Sequence, residues 1–363
     1  MTLHVVHVID TLALGGAERM LVELANRTVA DGHRASVCVT RSGVAMAPRL
    51  DPRIELLVLG RQSRFAVRPL VRFARWLAGR GVSAVHCHGR SSFSLAAALH
   101  AARAVPAPIA MHDHAGVQLH PEVPGWFRLA RRALAAYVAV DRSQLAWAER
   151  AGLPAARVHV IGNAIDIAAL ARQPVTGPAL PDAPGRRLIF VGGLRRDKAV
   201  DVLLDAVARL TAPATLFVVG GDADPAYAAE CRDRARRADL AGRVVFLGAR
   251  DDALPLARTC DLAVHPARSE SGPLVVAEYA ALGIPFVATR VGGIAAALAE
   301  AGAGRFVAPD DAAALAAAID EALALPPEAR QRAVEAAAAI ARAQFDIAAA
   351  MPRWYALYAE LAR

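Results

Sequence analysis

Aromatic side chains make up only 5% of the chain, and its four cysteines, Cys38, Cys87, Cys231 and Cys260, lie far apart and form no CxxC pair. That scarcity excludes a disulfide framework and a zinc ribbon, and a reducing cytoplasm is the expected compartment. Apolar runs long enough to cross a bilayer are missing as well. The opening residues MTLHVVHVID contain no basic start, long apolar run or small-residue cleavage site, so no secretory signal is expected. In that setting the sequon Asn26-Arg27-Thr28 carries no meaning.

What the chain has is aliphatic bulk. Hydrophobic residues reach 55% of 363, and alanine fills many helical positions, which suits cores of aliphatic strands and alanine-rich helices. The length is too great for one ordinary doubly wound domain and suits two. A formal net charge of +8 implies attraction to something anionic: nucleic acid, a membrane surface or a phosphorylated substrate. No helix-turn-helix, zinc finger or RNA-binding aromatic motif accompanies the charge, so nucleic acid is not expected.

Short apolar runs rich in β-branched residues recur at 5–9, 35–39, 54–59, 84–88, 108–111 and 137–140, each followed by a helical stretch or a turn. Alternation of this kind predicts βαβ units and a parallel sheet. A second series begins at 188–191 and continues at 215–219, 244–247, 261–265 and 285–289. Between them lies the proline- and glycine-rich stretch 173–185, which suits neither a helix nor a central strand and reads as a linker. Each half opens alike, with a strand, a glycine pair at Gly15-Gly16 or Gly192-Gly193, and then a helix. Glycine there lets backbone approach a ligand at the carboxyl end of the first strand, and an ordinary tight turn explains either pair equally well.

The most informative segment runs from His265 to Pro285. Pro273 suits the first position of a helix and Gly283 its end. The N–H groups of Leu274 and Val275 then offer a phosphate site at the positive end of the helix. Glu278 falls among apolar residues and needs a partner, either a ribose with two hydroxyls or a neighbouring backbone amide.

Glu270 and Glu278, eight positions apart with Gly272 between them and Gly283-Ile284-Pro285 after, resemble the paired-glutamate motif of retaining GT-B glycosyltransferases, above all family four. Gly-Gly-Ala-Glu at 15–18, Val160 to Asp166, Gly192 to Lys198, and Val245-Phe246-Leu247-Gly248 match in the same order. The resemblance implies an α/β GT-B fold, two Rossmann-like domains with parallel sheets facing a central cleft. Residues 1–172 would bind the acceptor, 186–342 the nucleotide sugar, and 343–363 would form a helix crossing back to the first domain. It implies that Glu278 binds the ribose, that Glu270 contacts the transferred sugar, and that Gly272, Pro273, Leu274 and Val275 hold phosphate and sugar. Lys198 would neutralise the departing diphosphate. Gly193 stands where the family often has an arginine, whose role passes to Arg195 or Arg196. A family histidine near the donor sugar corresponds to His112 first and His114 second.

The expected chemistry is hexosyl transfer from a UDP- or GDP-linked sugar to a glycan, glycolipid or lipid-linked acceptor in cell-envelope polysaccharide synthesis. Cationic groups and helix amides would stabilise the leaving diphosphate. No metal or other cofactor is expected: the chain lacks an obvious Asp-x-Asp pair at a strand end, and Asp251-Asp252 reads as a helix cap. One alternative is a binding protein of this fold without turnover. Another is a zinc hydrolase that uses His86-Cys87-His88 and His112-Asp113-His114. Arg68, Arg72 and Arg75, interleaved with Phe65, Phe73 and Trp76, predict a basic amphipathic surface. With Trp126 to Arg132 it suggests peripheral attachment to the inner face of the plasma membrane, or else a solvated arginine-rich face.

Overall fold

The computed structural model describes residues 2–63, 66–105, 107–114 and 122–363. The chain divides into two compact units, Met1–Ala164 with Ile347–Arg363, and Ile165–Asp346.

Unit 1 holds seven parallel strands: β1 His4–Ile9, β2 Arg34–Val39, β3 Glu55–Val58, β4 Ala84–His88, β5 Ile109–Asp113, β6 Leu134–Ala139 and β7 Val158–Val160. They lie in the order β3-β2-β1-β4-β5-β6-β7. Every residue of β1, β4 and β5 is buried, which explains their near-continuous apolar runs. One sheet face packs Val6, Val8, Val85, Cys87 and Met111 against Phe93, Phe127 and Trp147. The other packs Val5, Ala84, Ala110 and Val138 against Trp354 and Tyr358 of the last helix, Ile347–Leu361.

Unit 2 holds six parallel strands: β8 Arg186–Val191, β9 Ala214–Val219, β10 Val244–Gly248, β11 Leu262–His265, β12 Phe286–Thr289 and β13 Arg305–Val307. Their order is β10-β9-β8-β11-β12-β13. Gly220 is needed where β8 and β9 end side by side, because a Cβ there would lie 1.8 Å from the Gly192 carbonyl oxygen.

Several sequence expectations change. β7 and β13 escape a search for apolar runs because each spans three half-buried residues, and they carry His159 and Arg305. The crossing between units falls at Ala164/Ile165, so residues 173–185 are part of unit 2 rather than a linker. Leu180 enters the unit 2 core, and the Asp252 carboxylate accepts the N–H groups of Thr176 (3.0 Å) and Gly177 (2.8 Å). Asp252 therefore makes no side-chain cap on the helix Ala253–Ala257. The return to unit 1 begins at Ile347, not at residue 343.

The basic helix, Val67–Leu77, also differs in its facing. Phe73 is fully buried, and Trp76 is half-buried with its indole N–H on Glu55 (2.6 Å). Arg68, Arg72 and Arg75 are exposed, and the apolar residues beside them are Val67 and Val71. Phe65 lies outside the described residues. In the second cluster Phe127 is buried, while Trp126 and Leu129 are exposed. Among the described residues no helix is long and apolar enough to cross a membrane.

Candidate active site

Unit 2 reverses its strand order between β8 and β11, the place where open parallel sheets bind ligands beyond their carboxyl ends. β8 runs into Gly192-Gly193-Leu194-Arg195 and a short 3-10 turn, Arg196–Lys198. The second glycine pair is thus followed by a turn before the helix Val200–Arg209, whereas Gly15 directly precedes the helix Gly16–Ala30. β11 ends at His265 and leads into the loop bearing Arg268 and Glu270.

Glu270 is the centre of this group. Its carboxylate contacts the Lys198 ammonium, and His265 Nε2 lies 3.3 Å from its Oε1. The side chains of Glu270 and Lys198 are 16% and 18% exposed, and His265 is buried. Burial pushes the Glu270 carboxyl up, but the Lys198 charge and the His265 ring outweigh it and hold it at about 2. Burial also lowers His265, against the pull of Glu270, so the ring is neutral near neutral pH.

Arg268 splints the two segments. Its N–H donates to the Asp197 carbonyl (2.8 Å), and its guanidinium donates to the Arg196 carbonyl (2.7 Å) and to both Asp201 oxygens (2.9 and 2.7 Å). The Tyr227 hydroxyl donates to the same Asp201 (2.5 Å). Buried Ala199 takes a left-handed φ of +53°, which carries the chain from the Lys198 turn straight into the next helix. A residue with a Cβ pays about 1 kcal/mol for that conformation.

Beyond Glu270 the chain enters the helix Leu274–Ala281. Pro273 is its cap residue rather than its first helical residue, with ψ at 94°. Gly283 follows at φ +68° and ends the helix as expected. The first intrahelical bond runs from the Val276 N–H to the Pro273 carbonyl (3.0 Å), so the N–H groups of Leu274 and Val275 precede it. Gly292 holds the next helix against this loop: it has φ +78°, and a Cβ there would lie 2.9 Å from the Glu270 carbonyl oxygen. The Gly293 N–H donates to the Ser271 carbonyl (3.0 Å). Glu278 is 1% exposed in the second turn.

The structure thus gathers Lys198, Glu270 and the Gly272–Val275 backbone, with Glu278 one turn on. Of the two candidate arginines, Arg196 pairs with Glu230 (2.6 Å) and lies over the Tyr227 ring. Arg195 pairs with Asp197 in the Lys198 turn (2.6 Å). Gly15, Gly16 and His112 belong to unit 1. His112 is fully buried, and His114 is the half-buried ring of the pair.

The sequence reading gave no role to His265, although a titratable residue closing a buried strand beside the switch point is a usable signal. It also overlooked Asp222-Ala223-Asp224, an Asp-x-Asp run just beyond β9. Both carboxylates are engaged: Asp222 pairs with Arg232 (2.7 Å), and Asp224 caps the helix Pro225–Ala235 by accepting the Tyr227 N–H (3.1 Å).

The family described as Glycosyltransferase Family 4 matches residues 14–169, and the one described as Glycosyl transferases group 1 matches residues 185–324. Together the two matches take in well over half of the chain. This chain belongs to the family 4, group 1 glycosyltransferases. Glycogen synthase of Mycobacterium tuberculosis is 35% identical over 185 residues, which is 49% of this glycosyltransferase-family chain and 42% of that protein. D-inositol 3-phosphate glycosyltransferase 2 of Catenulispora acidiphila is 40% identical over 152 residues, 39% of this chain and 35% of that protein. These alignments span less than half the length of either curated relative. Anabaena Alr3699/HepE, solved in complex with UDP and glucose, superposes with a TM-score of 0.81 at 20% identity, covering 99% of this chain and 100% of that one. A glycosyltransferase from Rickettsia africae gives 0.83 at 17% identity, covering 100% of both chains. At such identities the likeness is one of fold, the GT-B fold of two Rossmann-like units.

Proposed function

We infer that the chain is a retaining hexosyltransferase that moves a sugar from a nucleoside diphosphate donor to a hydroxyl acceptor. The observation that carries this reading is the Lys198–Glu270 pair at the β8/β11 switch point, next to the amino end of the helix Leu274–Ala281. In this reading the bond between the sugar and the diphosphate breaks, and its electron pair leaves with the diphosphate. Lys198, Arg195 and the N–H groups of Leu274 and Val275 stabilise the charge that grows there. No metal enters the scheme. Glu270 holds the sugar hydroxyls, and Glu278 takes the ribose. Relatives named as a glycogen synthase and an inositol phosphate glycosyltransferase, and a fold neighbour solved with UDP-glucose, support a nucleotide-sugar donor.

The acceptor we favour is a glycan, glycolipid or lipid-linked sugar of the cell envelope, met at the cytoplasmic membrane face. Support comes from the exposed Arg68, Arg72 and Arg75 with the exposed Val67 and Val71 beside them. The test is release of free nucleoside diphosphate from UDP-, GDP- and ADP-linked hexoses, with and without such acceptors. Acceptor-dependent release with one donor supports transfer. Nucleotide binding without release would leave a binding protein of this fold.

A further inference from the structure

Five histidine rings converge on one face of the unit 1 sheet. His7 lies on β1, His86 and His88 on β4, and His112 on β5, with His114 just beyond its end. Residues two apart on a strand share a face, so each His-x-His run presents both rings together. The parallel register sets His7 beside His86 and His88 beside His112. The last helix covers the group: the Tyr358 hydroxyl is 2.8 Å from His86 Nδ1, and the Trp354 ring stands 5.0 Å from the His112 ring.

A core position asks for an apolar side chain, and burying imidazole without partners is costly. Neither His112 nitrogen has a hydrogen-bond partner among the described residues, and the ring is fully buried. Leaving a buried donor or acceptor unmet costs about 1–3 kcal/mol. Around this ring the nitrogens are closely spaced. His88 Nδ1 lies 3.0 Å from His114 Nε2, and one nitrogen from each of His88, His112 and His114 falls within 4.8 Å of the others. In a tetrahedral zinc site with Zn–N of about 2.0–2.1 Å, neighbouring nitrogens are about 3.3–3.4 Å apart. The His88–His114 pair needs to open by only a few tenths of an ångström, and the His112 nitrogen lies within 4.8 Å of both.

We propose that His88, His112 and His114 form a three-histidine site for a divalent transition metal of the zinc class. This rests on unit 1 alone: it gives His112 and His114 a role other than the donor-sugar contact that the family resemblance implies, and it leaves the Lys198–Glu270 reading untouched. The donors are all nitrogen, which favours zinc-like ions over magnesium or calcium. Three protein ligands leave a fourth position for water or an anion oxygen. His88 Nε2 lies 3.0 Å from His7 Nδ1. With a metal on Nδ1, the Nε2–H of His88 donates to His7 and fixes the His88 tautomer. A second group, His7, His86 and His88, is also close enough, but its rings are all buried and His86 Nδ1 is engaged with Tyr358. In the chosen trio His114 is half-buried.

The test uses the untagged full chain, stripped with chelator and titrated with Co²⁺, followed by the visible ligand-field bands and by competition with Zn²⁺. One ion per chain with a tetrahedral spectrum is expected, together with a rise in the thermal midpoint. His114→Gln, at the edge of the cluster, and His112→Phe, which keeps ring volume, should each weaken binding by about tenfold or more. His100→Gln, on an exposed position outside the cluster, should bind as the wild type does. If His112→Phe does not fold, His114→Gln decides. Absence of ligand-field bands in the wild type, or equal Co²⁺ affinity in folded His114→Gln, overturns the proposal.

Discussion

Lys198 and Glu270 form an ion pair largely screened from solvent, each side chain less than a fifth exposed. A donor diphosphate would compete with Glu270 for the ammonium, and its charge grows as the sugar departs. Lys198→Ala should therefore lower kcat by about 100-fold while changing donor affinity much less. Steady-state kinetics with the identified donor would read this; equal losses in kcat and binding would mean that Lys198 serves only the ground state. Glu278 behaves differently because its proposed partner, the ribose, is unchanged by the reaction. Glu278→Gln should weaken binding of the nucleoside diphosphate by about tenfold, the worth of a hydrogen bond to a charged group. Titration calorimetry checks it, and unaltered affinity would remove the ribose assignment.

At the scale of the element, the segment that resembled a linker is held by one carboxylate. Asp252 binds Arg250 at 2.8 Å and the N–H groups of Thr176 and Gly177, and its side chain is 3% exposed. The Arg250 guanidinium, aided by those amides, holds the Asp252 carboxyl well below the usual carboxylate range. Asp252→Ala should cost about 3 kcal/mol at neutral pH, because it strands Arg250 and two backbone donors. The sign of the pH dependence follows from the depressed pKa. Below its ordinary value of 3.8 the unfolded chain takes up a proton that the folded chain does not, so the contribution is full above that value and shrinks as pH falls through it. Thermal midpoints of wild type and variant should therefore converge between pH 4 and about pH 2. A constant gap across that range would show that the ionised carboxylate is not what holds the segment.

For the whole molecule, the charge of +8 is distributed with Arg68, Arg72 and Arg75 on one exposed helical face. Arginines near an anionic leaflet contribute about 1 kcal/mol each, and Val67 and Val71 add apolar contact. Replacing the three arginines by glutamate should abolish cosedimentation with anionic vesicles, and added salt should weaken wild-type binding. If the wild type ignores anionic vesicles at low salt, the face is a solvated surface and a soluble acceptor becomes the better reading.

Sequence by itself determined the parallel α/β class, the restart of the pattern at the second unit, and the run from Glu270 to Gly283. Each is written locally, in buried β-branched strands, in helix-ending glycine and in fixed spacing along one element. Tertiary structure decided the rest. Lys198 and Glu270 meet only because β8 and β11 are neighbours and Arg268 ties their loops together. His7, His88 and His114 are far apart in sequence and come together through strand order alone. Phe73 and Phe127 turned inward although charge surrounds them, because facing is set by what packs beneath a helix and not by its neighbours in the chain. Residues 173–185 carry every local mark of a linker, and it is Asp252, from a distant loop, that makes them part of a domain.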